Sequence, residues 1–71
     1  MSISYKMLFH LMIDKGVSNS ELMEKAQISA NIIHRMKRNG YISLETAEKI
    51  CRAMGCGIED ILEFTDEGAN A

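Results

Sequence analysis

Asn31, Arg35 and Arg38, with His34 beside them, recur at the three- and four-residue spacing that gathers side chains on one side of a helix. At about 100° per residue, Arg38 lies about 20° and Arg35 about 40° to either side of Asn31, with His34 about 60° away. Ile33 and Met36 lie about 160° and 140° from Asn31, and Ile32 about 100°. One face therefore carries an amide, an imidazole and two guanidinium groups, and the other is aliphatic. That is the chemistry needed to read base edges in a DNA major groove. An asparagine can bond both polar atoms of an adenine edge, and an arginine can fork onto guanine. Ala30 is small enough to touch a thymine methyl. His34, Lys37 and Arg38 suit phosphates, as do Asn19 and the backbone N–H groups opening the preceding helix. A charged helical face by itself is ordinarily just solvated; here it follows two serine-headed helix starts, Ser18 and Ser29, at close spacing.

Other constellations are weaker. Cys51 and Cys56 are five apart, and His10 and His34 fall on other helices, so neither zinc-knuckle nor H-x₃-H spacing is present. Cys51 falls on an apolar stripe and reads as a buried thiol. Glu45 and Glu48 read as solvent-facing helix charges rather than an acid/base pair. There is no glycine-rich phosphate loop and no nucleophile elbow. Neither an enzyme nor a bound metal or cofactor is expected.

The elements that must position the polar face follow from caps and periodicity. A first helix is predicted from Ser4 or Tyr5 to Lys15, with Ser4 as its cap and Gly16 as its stop. Tyr5, Leu8, Phe9 and Met12 form its buried stripe. Met7, Leu11 and Ile13 lie outside it, either partly covered by neighbouring elements or forming a dimer contact. Ser18-Asn19-Ser20-Glu21 is a capping-box pattern, heading a helix from Asn19 to Ala26 that buries Leu22, Met23 and Ala26. Gln27-Ile28 leaves no slack before Ser29 caps the third helix, so the two helices must cross steeply, as in a helix-turn-helix. Asn39-Gly40 ends the third helix. Ser43 caps a fourth, running to about Met54, with Leu44, Ala47, Ile50, Cys51 and Met54 inward and Gly55 as its stop. A fifth short helix is predicted from Ile58 to Phe64, with Glu59 and Asp60 favoured by the dipole of its first turn and Ile61, Leu62 and Phe64 closing the core. Residues 65–71 read as a frayed polar tail.

Seventy-one residues make one domain, 1–71, ordered over about 4–64. A chain of this size has a thin core and little room for a deep substrate cavity, so function is expected at its surface. Proline is absent and glycine occurs five times, which favours helices joined by short turns. The apolar start is interrupted by Lys6, His10, Asp14 and Lys15, so neither a signal peptide nor a membrane span is expected. Two cysteines without a leader read as reduced thiols, and a cytoplasmic location is expected. The net charge of −2 is unevenly spread. From residue 57 onward stand five acids (Glu59, Asp60, Glu63, Asp66, Glu67) and no Lys or Arg. From 26 to 44 stand Arg35, Lys37, Arg38 and His34, and no acid. A partner sensing fields over about 10 Å meets the local charge rather than the sum.

The run SNSELMEKAQISANIIHRMKRNGYISLETAEKICRAMGCGIEDILEF resembles the lambda-repressor-like, Cro/CI or Xre-type helix-turn-helix domain. The resemblance spans about Ser4 to Phe64. It rests on Glu21-Leu22, Ile28-Ser29, Ser43-Leu44-Glu45-Thr46 and the Gly55-x-x-Ile58-Glu59-Asp60-Ile61-Leu62 close. The opening and ending look most like the small stand-alone regulators of Gram-positive bacteria. The resemblance implies an all-α, compact five-helix bundle and a transcriptional regulator, often a homodimer on a palindromic site in double-stranded DNA. It puts base contacts on Ala30, Asn31 and Arg35, with Ser29 and His34 close by, and phosphate contacts on Asn19 and on Arg38-Asn39-Gly40-Tyr41. Three positions depart from the usual pattern. Gln27 stands where glycine is common, and a left-handed conformation there costs roughly 1 kcal/mol. Lys37 stands where glutamate is frequent, and Ala30 where a polar base reader is. The competing expectation is a protein-interaction module of the same fold, antitoxin-like or auxiliary to a larger regulator, with little DNA binding. No small-molecule substrate or membrane partner is implied.

Overall fold

A computed structural model describes residues 2–65 of the chain. Four α-helices follow a short strand: β1 (Ser2–Ser4), α1 (Lys6–Lys15), α2 (Asn19–Ala26), α3 (Ala30–Lys37) and α4 (Leu44–Met54). A single 3₁₀ turn, Ile58–Asp60, then leads into β2 (Glu63–Thr65), which pairs antiparallel with β1.

Local chemistry sets the helix ends. The capping box at α2 forms as its spacing predicts: the Glu21 N–H donates to Ser18 Oγ (3.1 Å), and the Ser18 N–H donates to Glu21 Oε1 (2.9 Å). Ser43 Oγ accepts from the Thr46 N–H at the head of α4. Ser29 occupies the N-cap position of α3 with extended backbone, but its hydroxyl makes no cap bond. α1, α2 and α4 stop at the left-handed residues Gly16, Gln27 and Gly55, and α3 ends at Arg38 with the left-handed residue, Asn39, one position further on. Gln27, at φ 56°, holds the conformation for which glycine was the expected residue.

The core draws on every helix and on both ends of the described chain. Tyr5, Leu8, Leu22, Met36, Ile50 and Ile61 are its largest fully enclosed side chains, joined by Ile3, Met12, Ala26, Ile33, Ala47 and Met54. α2 packs on both α3 and α4, so the second helix is the platform on which the third stands. Lys15 Nζ donates to the Met54 carbonyl at 2.7 Å, tying the end of α1 to the end of α4.

Several expectations are corrected. The fifth helix does not form: the segment is one 3₁₀ turn, then extended chain in the register Ser2↔Thr65, Ile3↔Phe64, Ser4↔Glu63. A short apolar run fits either a helix or a strand, and here the partner strand, far away in sequence, decides. The architecture is therefore mostly helical with a two-stranded sheet. The same pairing takes Ser4 into β1, so Tyr5 is the N-cap of α1 and makes no side-chain cap bond. Phe64 does not close the core but is 63 % exposed, and Leu44, predicted inward, is 80 % exposed at the first position of α4. Met7 and Ile13 are exposed and Leu11 is half-buried. Thr65, assigned to a polar tail, is a strand residue whose Oγ1 lies 2.7 Å from Ser2 Oγ; the rest of that tail falls outside the described residues. Among the described residues no helix is long and apolar enough to cross a membrane.

Candidate nucleic-acid interface

α3 is held by one face and free on the other. Ile33 and Met36 are buried and Ile32 half-buried. Enclosing a side chain of the size of Met36 stabilises the docked helix by about 1.5–3 kcal/mol. Ala30, Asn31, His34 and Arg35 are all exposed. Ser29 and Arg38, the residues flanking the helix at its two ends, are exposed as well. The predicted division of the helix into polar and aliphatic faces is thus present.

The C-terminal end of α3 is closed tightly. The Gly40 N–H donates to the Arg35 carbonyl (2.8 Å) and the Asn39 N–H to the Met36 carbonyl (3.0 Å), while Asn39 adopts φ 58°. This paired capping satisfies carbonyls that the helix itself cannot. His34, Arg35 and Lys37 lie in the last turn, where the helix dipole favours cations. Arg38, Asn39 and Tyr41 continue the exposed surface beyond the helix end.

Asn19 is the first residue of α2 and is exposed. It shares a groove with Ser18 and Lys37, floored by Phe9, Met12, Ile13 and Val17. The structure therefore brings Lys37 to the start of α2 rather than to the face carrying Asn31 and Arg35. The sequence grouped Lys37 with His34 and Arg38; its neighbour across the groove was not visible there.

The residue that sequence reasoning missed is Tyr5. It lies on the buried stripe of α1, and its hydroxyl donates to the Gly40 carbonyl in the α3–α4 loop. Burial raises its pKa, the neighbouring Tyr41 adds to this, and the guanidinium of Arg35 opposes it. The signal was present in the residue type: a tyrosine on an apolar stripe needs a partner for its O–H.

Groups weighed for other chemistry stand apart. Cys51 and Cys56 are half-buried free thiols, and burial raises the pKa of both. Glu48 accepts from Arg52 at 3.0 Å across one exposed helix turn. Among the described residues no three His, Cys, Asp or Glu side chains gather as metal ligands.

Residues 7–67 match the family model of the Cro/C1-type HTH DNA-binding domain. The chain is also similar to a solved structure, the crystal structure of the transcriptional regulator VanUg (Form II), with a TM-score of 0.85 and 30 % sequence identity. That similarity covers 90 % of this chain and 85 % of the other. No curated protein matches the chain. With most of its length matched, its four helices in place and its third helix exposing a basic face, the chain belongs to the Cro/C1-type helix-turn-helix DNA-binding domain family.

Proposed function

We propose that this chain is a transcriptional regulator that reads the major groove of duplex DNA with α3, acting as a homodimer in the cytoplasm. The observation that carries this reading is the exposed face of α3, set on a helix whose opposite face is locked into the core. Asn31 and Arg35 discriminate bases and Ala30 contacts a thymine methyl, with Ser29 and His34 alongside. Asn19, Lys37, Arg38, Asn39 and Tyr41 set the register through phosphates. The 26–44 segment, with three Arg or Lys residues and no acid, supplies a local positive field despite the acidic total.

Selection of bound sequences from a random duplex pool tests the reading. A two-fold symmetric consensus is the expected result, with binding that weakens steeply as salt rises. Arg35→Ala should cost about 1–3 kcal/mol on the selected site and relax preference at one base pair. Equal loss on selected and random DNA would move Arg35 to the phosphate contacts. A second reading, a protein-interaction module of the same fold, draws on the exposed apolar side chains Ile13, Leu44 and Phe64. Absence of binding to any duplex at low salt would favour it over the first.

A further inference from the structure

The Arg35 side chain lies against the α-carbon of Gly40. A β-carbon at position 40 would stand 2.7 Å from Arg35 Cγ and 3.2 Å from the Arg35 carbonyl oxygen. The first separation is closer than real β-carbon contacts, and the atom concerned is near the root of the side chain, so the whole stem would have to swing. Gly40 is itself fixed from two sides, its N–H bonded to the Arg35 carbonyl and its own carbonyl to the Tyr5 hydroxyl. Tyr5 is fully buried, so this anchor is part of the core. The arginine stem thus runs over a backbone surface that cannot easily retreat.

We propose that Gly40 is a specificity-determining positioning residue: its missing side chain, held in place by Tyr5, sets the path along which Arg35 reaches DNA. The proposal deepens the reading of Arg35 as a base reader and rests on it. An arginine has many rotamers, and forking onto one base requires selecting among them before binding. The Gly40 surface does this from beneath the arginine stem, whatever phosphate contact its loop makes. Ordinary turn chemistry does not require the glycine, because the left-handed position of the turn belongs to Asn39.

The test is a double-mutant cycle on Gly40→Ala and Arg35→Ala, using the duplex that random-pool selection recovers with the unmodified protein. The preference at the base pair read by Arg35 should fall roughly 5- to 100-fold with Arg35→Ala. Gly40→Ala should remove most of that same preference, read as the ratio of affinities for the selected duplex and its variant at that one base pair, so that any change in the loop's own phosphate contacts divides out. In the Arg35→Ala background, Gly40→Ala should leave the preference unchanged, because no Cγ remains to be displaced. Additive effects of the two substitutions, or preference retained in Gly40→Ala, overturn the proposal while leaving Arg35 as a base reader. If selection recovers no duplex, or Arg35→Ala leaves the preference intact, the base-reading role itself fails and the proposal with it. Thermal unfolding of the same four proteins gives a readout independent of DNA. Gly40→Ala should lower the melting temperature less in the Arg35→Ala background, where only the 3.2 Å approach to the Arg35 carbonyl remains, and an equal loss in both backgrounds overturns the contact.

Discussion

The hydroxyl of Tyr5 donates a hydrogen bond to the backbone carbonyl of Gly40, thirty-five positions along the chain. Through it the start of α1 grips the loop that closes α3, the element carrying most of the candidate DNA contacts. Three relations converge on that loop: the buried ring of Tyr5, the paired cap at Asn39 and Gly40, and the Arg35 stem lying on the glycine. A helix meant to present side chains in fixed directions needs such support, because base recognition tolerates little error in angle.

Removing the hydroxyl should be felt as stability. Tyr5→Phe keeps the buried ring and leaves the Gly40 carbonyl without its partner, at a cost of about 1 kcal/mol. Urea unfolding of the two proteins measures it. The pH dependence carries a sign. Burial holds the folded-state pKa of Tyr5 above its ordinary 10.0, so its contribution is complete below that value. It is lost as pH rises through the higher folded-state pKa, because the unfolded chain deprotonates first. The phenylalanine variant should therefore lose less stability than the unmodified protein above pH 10; equal alkaline loss in both would contradict the assignment.

Gln27 should be replaceable with profit. It is exposed and left-handed at the end of α2. Gln27→Gly relieves the β-carbon clash, a gain partly offset by the greater freedom of glycine in the unfolded chain, for a net of up to about 1 kcal/mol. The urea midpoint should rise with no change in slope. A midpoint that stays or falls would mean that this turn stores no strain.

The capping box predicts a different pH response at the acid end. The Glu21 pKa is lowered by the hydrogen bond from the Ser18 backbone N–H, then by the Ser18 side chain, against an ordinary 4.5. Its contribution is complete above 4.5 and disappears as pH falls through the lower folded-state value. Glu21→Gln should lower the melting temperature at neutral pH and leave it nearly unaltered at the bottom of that window. A constant difference across the range would assign the stabilisation to the side-chain amide or packing rather than to charge.

Cys51 and Cys56 should react slowly. Burial holds both thiols up, so less thiolate is present at neutral pH than for a free cysteine. Alkylation by iodoacetamide, followed by mass spectrometry, should be slower than for a model thiol and should accelerate on adding denaturant. Alkylation as fast in the folded as in the unfolded protein would contradict half-burial of the pair.

Most of the helical architecture is legible in the chain because it is decided within a few residues. Ser18 with Glu21, Ser43 with Thr46, and the left-handed stops at Gly16, Gln27, Asn39 and Gly55 are local arrangements, and the α3 polar face is a matter of spacing alone. The errors fall where a remote partner decides. Ile58–Phe64 offered a helix by periodicity, but Glu63–Thr65 found Ser2–Ser4 as a strand partner, and strand hydrogen bonds require a neighbour that no local pattern names. Leu44 was counted inward from its place on a stripe, yet it stands at the first turn of α4, beyond the reach of the packed helices. The sequence by itself determined which residues α3 leaves exposed. Only the tertiary structure decided how they are held: Tyr5 under Gly40, Gly40 under Arg35, and Lys37 beside Asn19 across a groove. Each of those contacts joins segments separated along the chain, and their meeting depends on how the helices pack rather than on the preferences of any one of them.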